Sequence, residues 1–234
     1  MKKLFTFISI IFISFTLQAQ NKFLVGASAN YNVPVGMLSN RLEAAPGFLI
    51  YAGKQISSDW TWIGKIEYFK LTDVNKNQMK KFVKSDVLGT IKTFEFPLPK
   101  IKMDLTVAGL TAEAKYNFFR TDLIDANLNL GFGFFYWEHF RSDYKDSLFV
   151  DSTGAGNLIL VESLNVPSLK QKDWSGGVNF GLDVNFNIYS PISLNLSANY
   201  KLIIAELWPT LALNLENVSG LQFLDLRAGI KFNF

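Results

Sequence analysis

Residues 174–202 read WSGGVNFGLDVNFNIYSPISLNLSANYKL. Val178, Phe180, Leu182, Val184, Phe186 and Ile188 alternate with Asn179, Gly181, Asp183, Asn185 and Asn187. After residues 189–191 the pattern resumes, with Ile192, Leu194, Leu196, Ala198, Tyr200 and Leu202 against Ser193, Asn195, Ser197, Asn199 and Lys201. Successive side chains of a strand point to opposite faces, so this is a hairpin of two strands, each with one apolar and one polar face.

The same two-faced pattern recurs along the chain. Leu224, Leu226, Ala228, Ile230, Phe232 and Phe234 oppose Asp225, Arg227, Gly229, Lys231 and Asn233 at the C-terminus. Ala108 to Phe118 and Leu128 to Tyr136 alternate around a short connection at 120–123. Trp60, Trp62, Gly64, Ile66 and Tyr68 share one face, and Phe23, Val25, Ala27, Ala29 and Tyr31 another. Residues 48–56 are apolar on both faces, which leaves that strand's register open. Eight strands of about 9 to 13 residues follow, each long enough to cross a bilayer core when tilted. Short connections (57–59, 120–123, 189–191) alternate with long ones (33–46, 71–102, 138–173, 203–220). That is the spacing of periplasmic turns and extracellular loops.

The aromatic residues sort by height. With strands running up and down from a periplasmic start, Phe23, Trp60, Trp62, Tyr116, Phe118, Phe186, Phe232 and Phe234 fall at one level, and Tyr31, Tyr68, Tyr136, Trp174 and Tyr200 at the other. Ring side chains at two membrane interfaces produce such belts. A soluble barrel would bury its apolar face inside; here the large polar set must face inward.

Composition agrees. Over 234 residues, 49% are hydrophobic and 18% charged, and the mean hydropathy is +0.15, which excludes a disordered chain. Met1, Lys2 and Lys3, the apolar run Leu4 to Leu17, and Ala19 form a secretory signal peptide over residues 1–19, ahead of one barrel domain over 20–234. Without Lys2 and Lys3 the chain has 21 basic against 20 acidic residues, so no nucleic-acid partner is expected. Zero cysteines and a single histidine exclude thiol chemistry, an acylated N-terminal cysteine and multi-histidine metal sites; neither metal nor cofactor is expected. The longest later apolar stretch, 202–213, is broken by Glu206 and Pro209. Any crossing must therefore be made by strands closed into a barrel.

The leader, the alternation and the last strand ending in Ile230, Phe232 and Phe234 resemble the small bacterial outer-membrane β-barrels, the eight-stranded group typified by OmpA and OmpX and the PorT-like barrels. The resemblance implies an all-β, up-and-down antiparallel transmembrane barrel with long extracellular loops. It also implies outer-membrane localisation, contact with outer-membrane lipids and lipopolysaccharide, and recognition of the strand ending at Phe234 by the barrel-assembly machinery. The class spans adhesins, enzymes and secretion accessories, so fold alone does not choose a function.

An eight-stranded barrel has room only for side chains. Lys65, Lys115, Lys201, Arg227 and Lys231 face inward with Glu67, Glu113, Asp183 and Asp225, and should pair there as an interior charge network. Aligning Trp62 with Tyr116 places Lys65 opposite Glu113. Catalytic residues are not expected; the alternative is a lipid-modifying hydrolase or acyltransferase centred on His139, just past a strand end, with Ser142 and neighbours Glu138 and Asp143. The loop 71–102 carries Lys76, Lys80, Lys81, Lys84 and Lys92 in a segment of net charge +4, a basic binding patch for lipopolysaccharide phosphates. In the loop 138–173, Phe149 and Val150 face Leu158 to Val161 across a small-residue turn, which predicts a hairpin above the membrane. The leading functional expectation is a filled barrel whose loops bind a surface component or an extracellular or envelope protein. An accessory role in protein export is a further alternative.

Overall fold

The computed structural model describes residues 23–87, 90–98, 100–151, 156 and 158–234. The expected signal peptide over residues 1–19 lies outside the described residues, as do residues 152–155 of the small-residue turn expected in the loop 138–173. In chain order the strands are β1 (Phe23–Pro34), β2 (Ala45–Gln55), β3 (Trp60–Leu71), β4 (Lys80–Val87), β5 (Thr90–Pro97), β6 (Met103–Arg120), β7 (Ile124–Arg141), β8 (Tyr144–Asp151), β9 (Leu158–Val166), β10 (Leu169–Tyr189), β11 (Ile192–Leu207) and β12 (Val218–Asn233). Eight of them close into one antiparallel barrel in the order β1-β12-β11-β10-β7-β6-β3-β2. β4-β5 and β8-β9 form two separate hairpins within the long connections.

Alternation determines which face meets lipid. Ile66, Leu110, Leu130, Phe132, Phe134, Phe180 and Leu182 are exposed on the outside, while Lys65, Glu67, Glu113, Asn179 and Asp183 are buried inside. Only a lipid environment makes this distribution stable, because the apolar surface would otherwise stand in water. The aromatic residues meet across neighbouring strands, Trp60 with Tyr116 at 5.1 Å at the inner level and Tyr136 with Trp174 at 5.5 Å at the outer.

The register of β2, whose sequence is apolar on both faces, is decided by packing. Phe48 and Ile50 face outward, whereas Leu49 and Tyr51 are buried in the lumen. Tyr51 lies directly opposite Gly26, where any side chain would collide with its ring. Gly109 and Gly177 do the same for Phe135: a Cβ on either would fall 2.6 Å and 2.7 Å from the ring. β6 and β7 run for 18 residues each and β10 for 21, nearly twice what a crossing needs. Their outer halves rise above the membrane as a continuation of the wall.

Candidate functional site

The lumen has two storeys. In the lower one, Lys65 Nζ bonds Glu113 Oε2, and Lys115 Nζ bonds Asp183 Oδ2. Lys201 Nζ donates to Glu67 at 2.5 Å and lies 3.1 Å from Asp225, which also holds the Arg227 guanidinium at 2.5 and 2.9 Å. Lys231 approaches Asp125 at 3.9 Å. Asparagine amides complete the shells of the acids: Asn179 donates to Glu113 at 2.7 Å, and Asn127, Asn185 and Asn195 donate to Asp183 at 2.8–3.0 Å. Buried charge is tolerable only with such partners. Below Lys115 and Tyr51 the lumen widens into an inner mouth of about 600 Å³ that also reaches Asp125, Asn187 and Lys231.

The register differs from the sequence expectation by two residues. Tyr116 faces Trp60 rather than Trp62, and Lys65 faces Thr111. Matching ring to ring assigned the wrong tryptophan of a pair. The long lysine side chain still reaches Glu113 diagonally, so the contact is made from a different rung. Glu67 does not pair within its own hairpin at all; its partner, Lys201, comes from across the barrel.

Above this network the interior turns apolar. Phe69 and Phe223 meet edge to face at 5.1 Å, with the Lys201 ammonium 4.9 Å below the Phe69 ring. Leu71, Leu105, Val107, Trp137, Ile203, Leu207 and Leu221 line the wall above them. Leu38, Leu42, Met79, Leu98, Ile101, Leu164 and Leu213 descend from the connections to join them in one buried cluster. Charges and amides fill only the inner half. The outer half has a core like that of a soluble domain.

His139 belongs to this cap. The sequence places it just past a strand end at the rim; the structure puts it inside β7 on the lumenal face, 1% exposed. Its Nδ1 is 2.9 Å from the Asp104 carbonyl, to which it donates. Burial, with Arg41 and Arg141 nearby, lowers its pKa to about 4. Ser142 follows the end of β7, with its backbone N–H on the Lys102 carbonyl, and no hydrogen bond joins it to His139 among the described residues. The imidazole is therefore buried and neutral at pH 7.

The residues that sequence reasoning missed are the two buried arginines. Arg41 bonds the Trp208 and Glu216 carbonyls, and Arg141 bonds Thr210 Oγ1 and, at 3.0 Å, the Pro167 carbonyl. Neither has an acidic partner among the described residues. Each clamps connections that lie far apart in sequence. Burial, with Arg141 beside it, lowers the Arg41 pKa to about 10.

The lysine-rich loop is a hairpin, and its pleat divides the basic set. Lys80 and Lys84 lie on one face with Phe82; Lys81 and Lys92 lie on the other with Val83. Lys80 pairs with Glu95 at 2.5 Å. Lys81 is buried, 3.4 Å from Glu162 of the other hairpin and 3.2 Å from Asn214. Lys76, Lys84 and Lys92 remain exposed. The lysines expected as one basic patch are thus divided: Lys81 is a strut between the hairpins, Lys80 and Lys84 share one face, and Lys92 lies on the other. Exposed apolar groups are more prominent, with Phe82 and Ile91 on the first hairpin and Phe149, Leu158, Ile159 and Leu160 on the second.

The sequence matches no protein-family model and no curated protein. Among solved structures, a major outer membrane protein from Thermus thermophilus shares 11% identity over 92% of this chain and 100% of that one, with a TM-score of 0.55. Neisserial surface protein A gives 16% identity, 91% and 97% coverage and a TM-score of 0.47. The attachment invasion locus protein of Yersinia pestis gives 14%, 92% and 97%, and 0.43. With a closed eight-stranded wall, lipid-facing side chains outside and paired charges inside, the chain has the fold of the small outer-membrane β-barrels.

Proposed function

We propose that this protein is exported by its leader to the outer membrane, is assembled there through the strand ending at Phe234, and uses its two outer hairpins to bind a surface component or partner protein without enzymatic chemistry. The observation that carries the reading is the pair β4-β5 and β8-β9. Both are tied to the barrel by the buried cap and to each other by Lys81 and Glu162, yet they hold large apolar side chains in solvent, with Leu158 65% and Ile91 75% exposed. A rigid mount beneath an exposed apolar tip suits recognition, because little order has to be gained on binding. Outer-membrane lipids surround the wall, and the exposed lysines add attraction for anionic partners.

The test is a triple change, Phe149→Ser, Leu158→Ser and Leu160→Ser. The protein should keep its heat-dependent gel migration and should lose whatever surface phenotype deletion of the whole chain removes. Turnover of labelled outer-membrane lipids by the purified barrel, abolished by Ser142→Ala or His139→Gln, would instead establish the lipid-modifying reading.

A further inference from the structure

The barrel wall has a break. β10 keeps its partner β7 up to the Leu169–Arg141 pair, but its pairing with β11 stops at Gly177 and Ile203. β11 continues to Leu207 and turns instead toward β12, through an irregularity between Ile203 and Glu206. A bulge bends and twists its strand, and here it peels β11 away from β10. The parted edges enclose a cleft of about 520 Å³, lined among others by Trp137, Gln171, Ser175, Ile204, Ala205 and Trp208, within the range of small-ligand sites. It opens outward at and above the outer aromatic belt, with Trp174, Ile204 and Trp208 each more than half exposed around it.

We propose that this cleft binds the saccharide head of an outer-leaflet glycolipid. Trp137 and Trp208 line it, and Trp174 stands between the lining residues Asp173 and Ser175. The exposed indole face of Trp208 suits the C–H face of a pyranose, and an indole N–H can serve as a hydrogen-bond donor. Among the other lining residues, Gln171 and Ser175 both donate and accept, as sugar hydroxyls do. Trp137 Nε1 donates to Ser175 Oγ at 2.9 Å, and Gln171 Oε1 accepts from the Trp208 backbone at 3.2 Å, leaving its amide nitrogen for a ligand. Two stretches of strand edge add backbone groups that must find partners. The charged rim is balanced, Lys170 and Lys172 against Asp173 and Glu206, which disfavours a bare anion. Gln171, Ser175 and the four charged residues of the lining disfavour an acyl chain. The height of the mouth, level with the head groups of the leaflet that surrounds the wall, selects a membrane-anchored sugar over a soluble one.

The chain lacks cysteine, so Ala205→Cys gives a unique label in the cleft. Its maleimide reaction is followed with the full barrel in phosphatidylcholine nanodiscs. Rough-type lipopolysaccharide should slow labelling at least tenfold, with or without protection by its released core oligosaccharide, while phosphatidylglycerol leaves the rate unchanged. Adding Trp208→Ala should raise the lipopolysaccharide needed at least tenfold, with heat-dependent migration retained. Protection by phosphatidylglycerol, no protection by lipopolysaccharide, protection by the oligosaccharide alone, or indifference to Trp208→Ala would each overturn the proposal. None of these outcomes bears on the hairpin tips, so this site and the proposed function stand or fall separately.

Discussion

The inner and outer halves of the lumen are enclosed by the same eight strands and are filled by opposite chemistry. Below Phe69 and Phe223, lysine, arginine and acid side chains meet in pairs with asparagine between them; above, leucine, valine and tryptophan pack against residues that descend from the connections. The difference follows from what each half can reach. In the inner half only the wall contributes, and across a narrow lumen long charged side chains span the gap while amides fill the remainder. In the outer half the long connections lie within easy reach of the axis, so an ordinary hydrophobic core becomes possible. The inner half fixes the barrel and the outer half fixes the loops.

That division has measurable consequences, of which the largest lies in the network. Lys201→Met removes the cation shared by Glu67 and Asp225, both buried. It should destabilise the barrel by about 4 kcal/mol, since a buried charge is left without its partner. Urea unfolding in micelles should show the wall and the hairpins melting together at lower denaturant. A loss below about 1 kcal/mol would mean that the lower storey is hydrated well enough to dispense with the pair.

The cap should respond differently. Leu105→Ala opens a cavity in the apolar cluster, where Leu105 is fully buried, and should cost about 3 kcal/mol. The loss should appear as faster amide exchange in β4-β5 and β8-β9 while the lipid-level strands stay protected. Equal acceleration everywhere would show the two storeys to be one cooperative unit.

The smallest effect concerns acid. His139 has a folded pKa of about 4 against about 6.5 when unfolded. The unfolded state therefore binds the extra proton between these values, and stability is lost as pH falls through that window. The cap should weaken by about 2 to 3 kcal/mol as pH falls from about 6.5 to 4, seen as hairpin exchange. His139→Gln should remove that dependence while keeping a donor for the Asp104 carbonyl. A pH profile unchanged by the substitution would assign the acid response to carboxylates instead.

Much of this was readable in the chain. The alternation at 174–202 and its repeats placed seven of the eight wall strands, because a strand between lipid and a polar lumen must alternate; β2, apolar on both faces, was legible only as an apolar run between turns. The outer ends were misleading: beside the inward Leu105 and Val107 stand the outward Asp104 and Thr106, so the alternation inverts, around Ile203 both faces are apolar, and nothing local says that a core is being lined. His139 illustrates the consequence. Counted from the end of the alternation it stands at a rim, but the strand runs on and carries it under the cap. Arg41 and Arg141 gave no signal, since their partners are backbone carbonyls and a hydroxyl from remote connections.

By itself, the sequence determined most of the wall: its strand number, the face that every strand but β2 shows to lipid, and the residues that supply charge to the interior. These follow from a period of two and from the requirement that every crossing segment satisfy its own backbone. Tertiary structure alone decided who meets whom. The pairing of Lys201 with Glu67, the two-residue shift that sets Lys65 beside Thr111, the split of the lysines over two faces of a hairpin, and the parting of β10 from β11 all depend on how the sheet closes and staggers. Closure brings together residues far apart in the chain, and no local pattern records the distance between them.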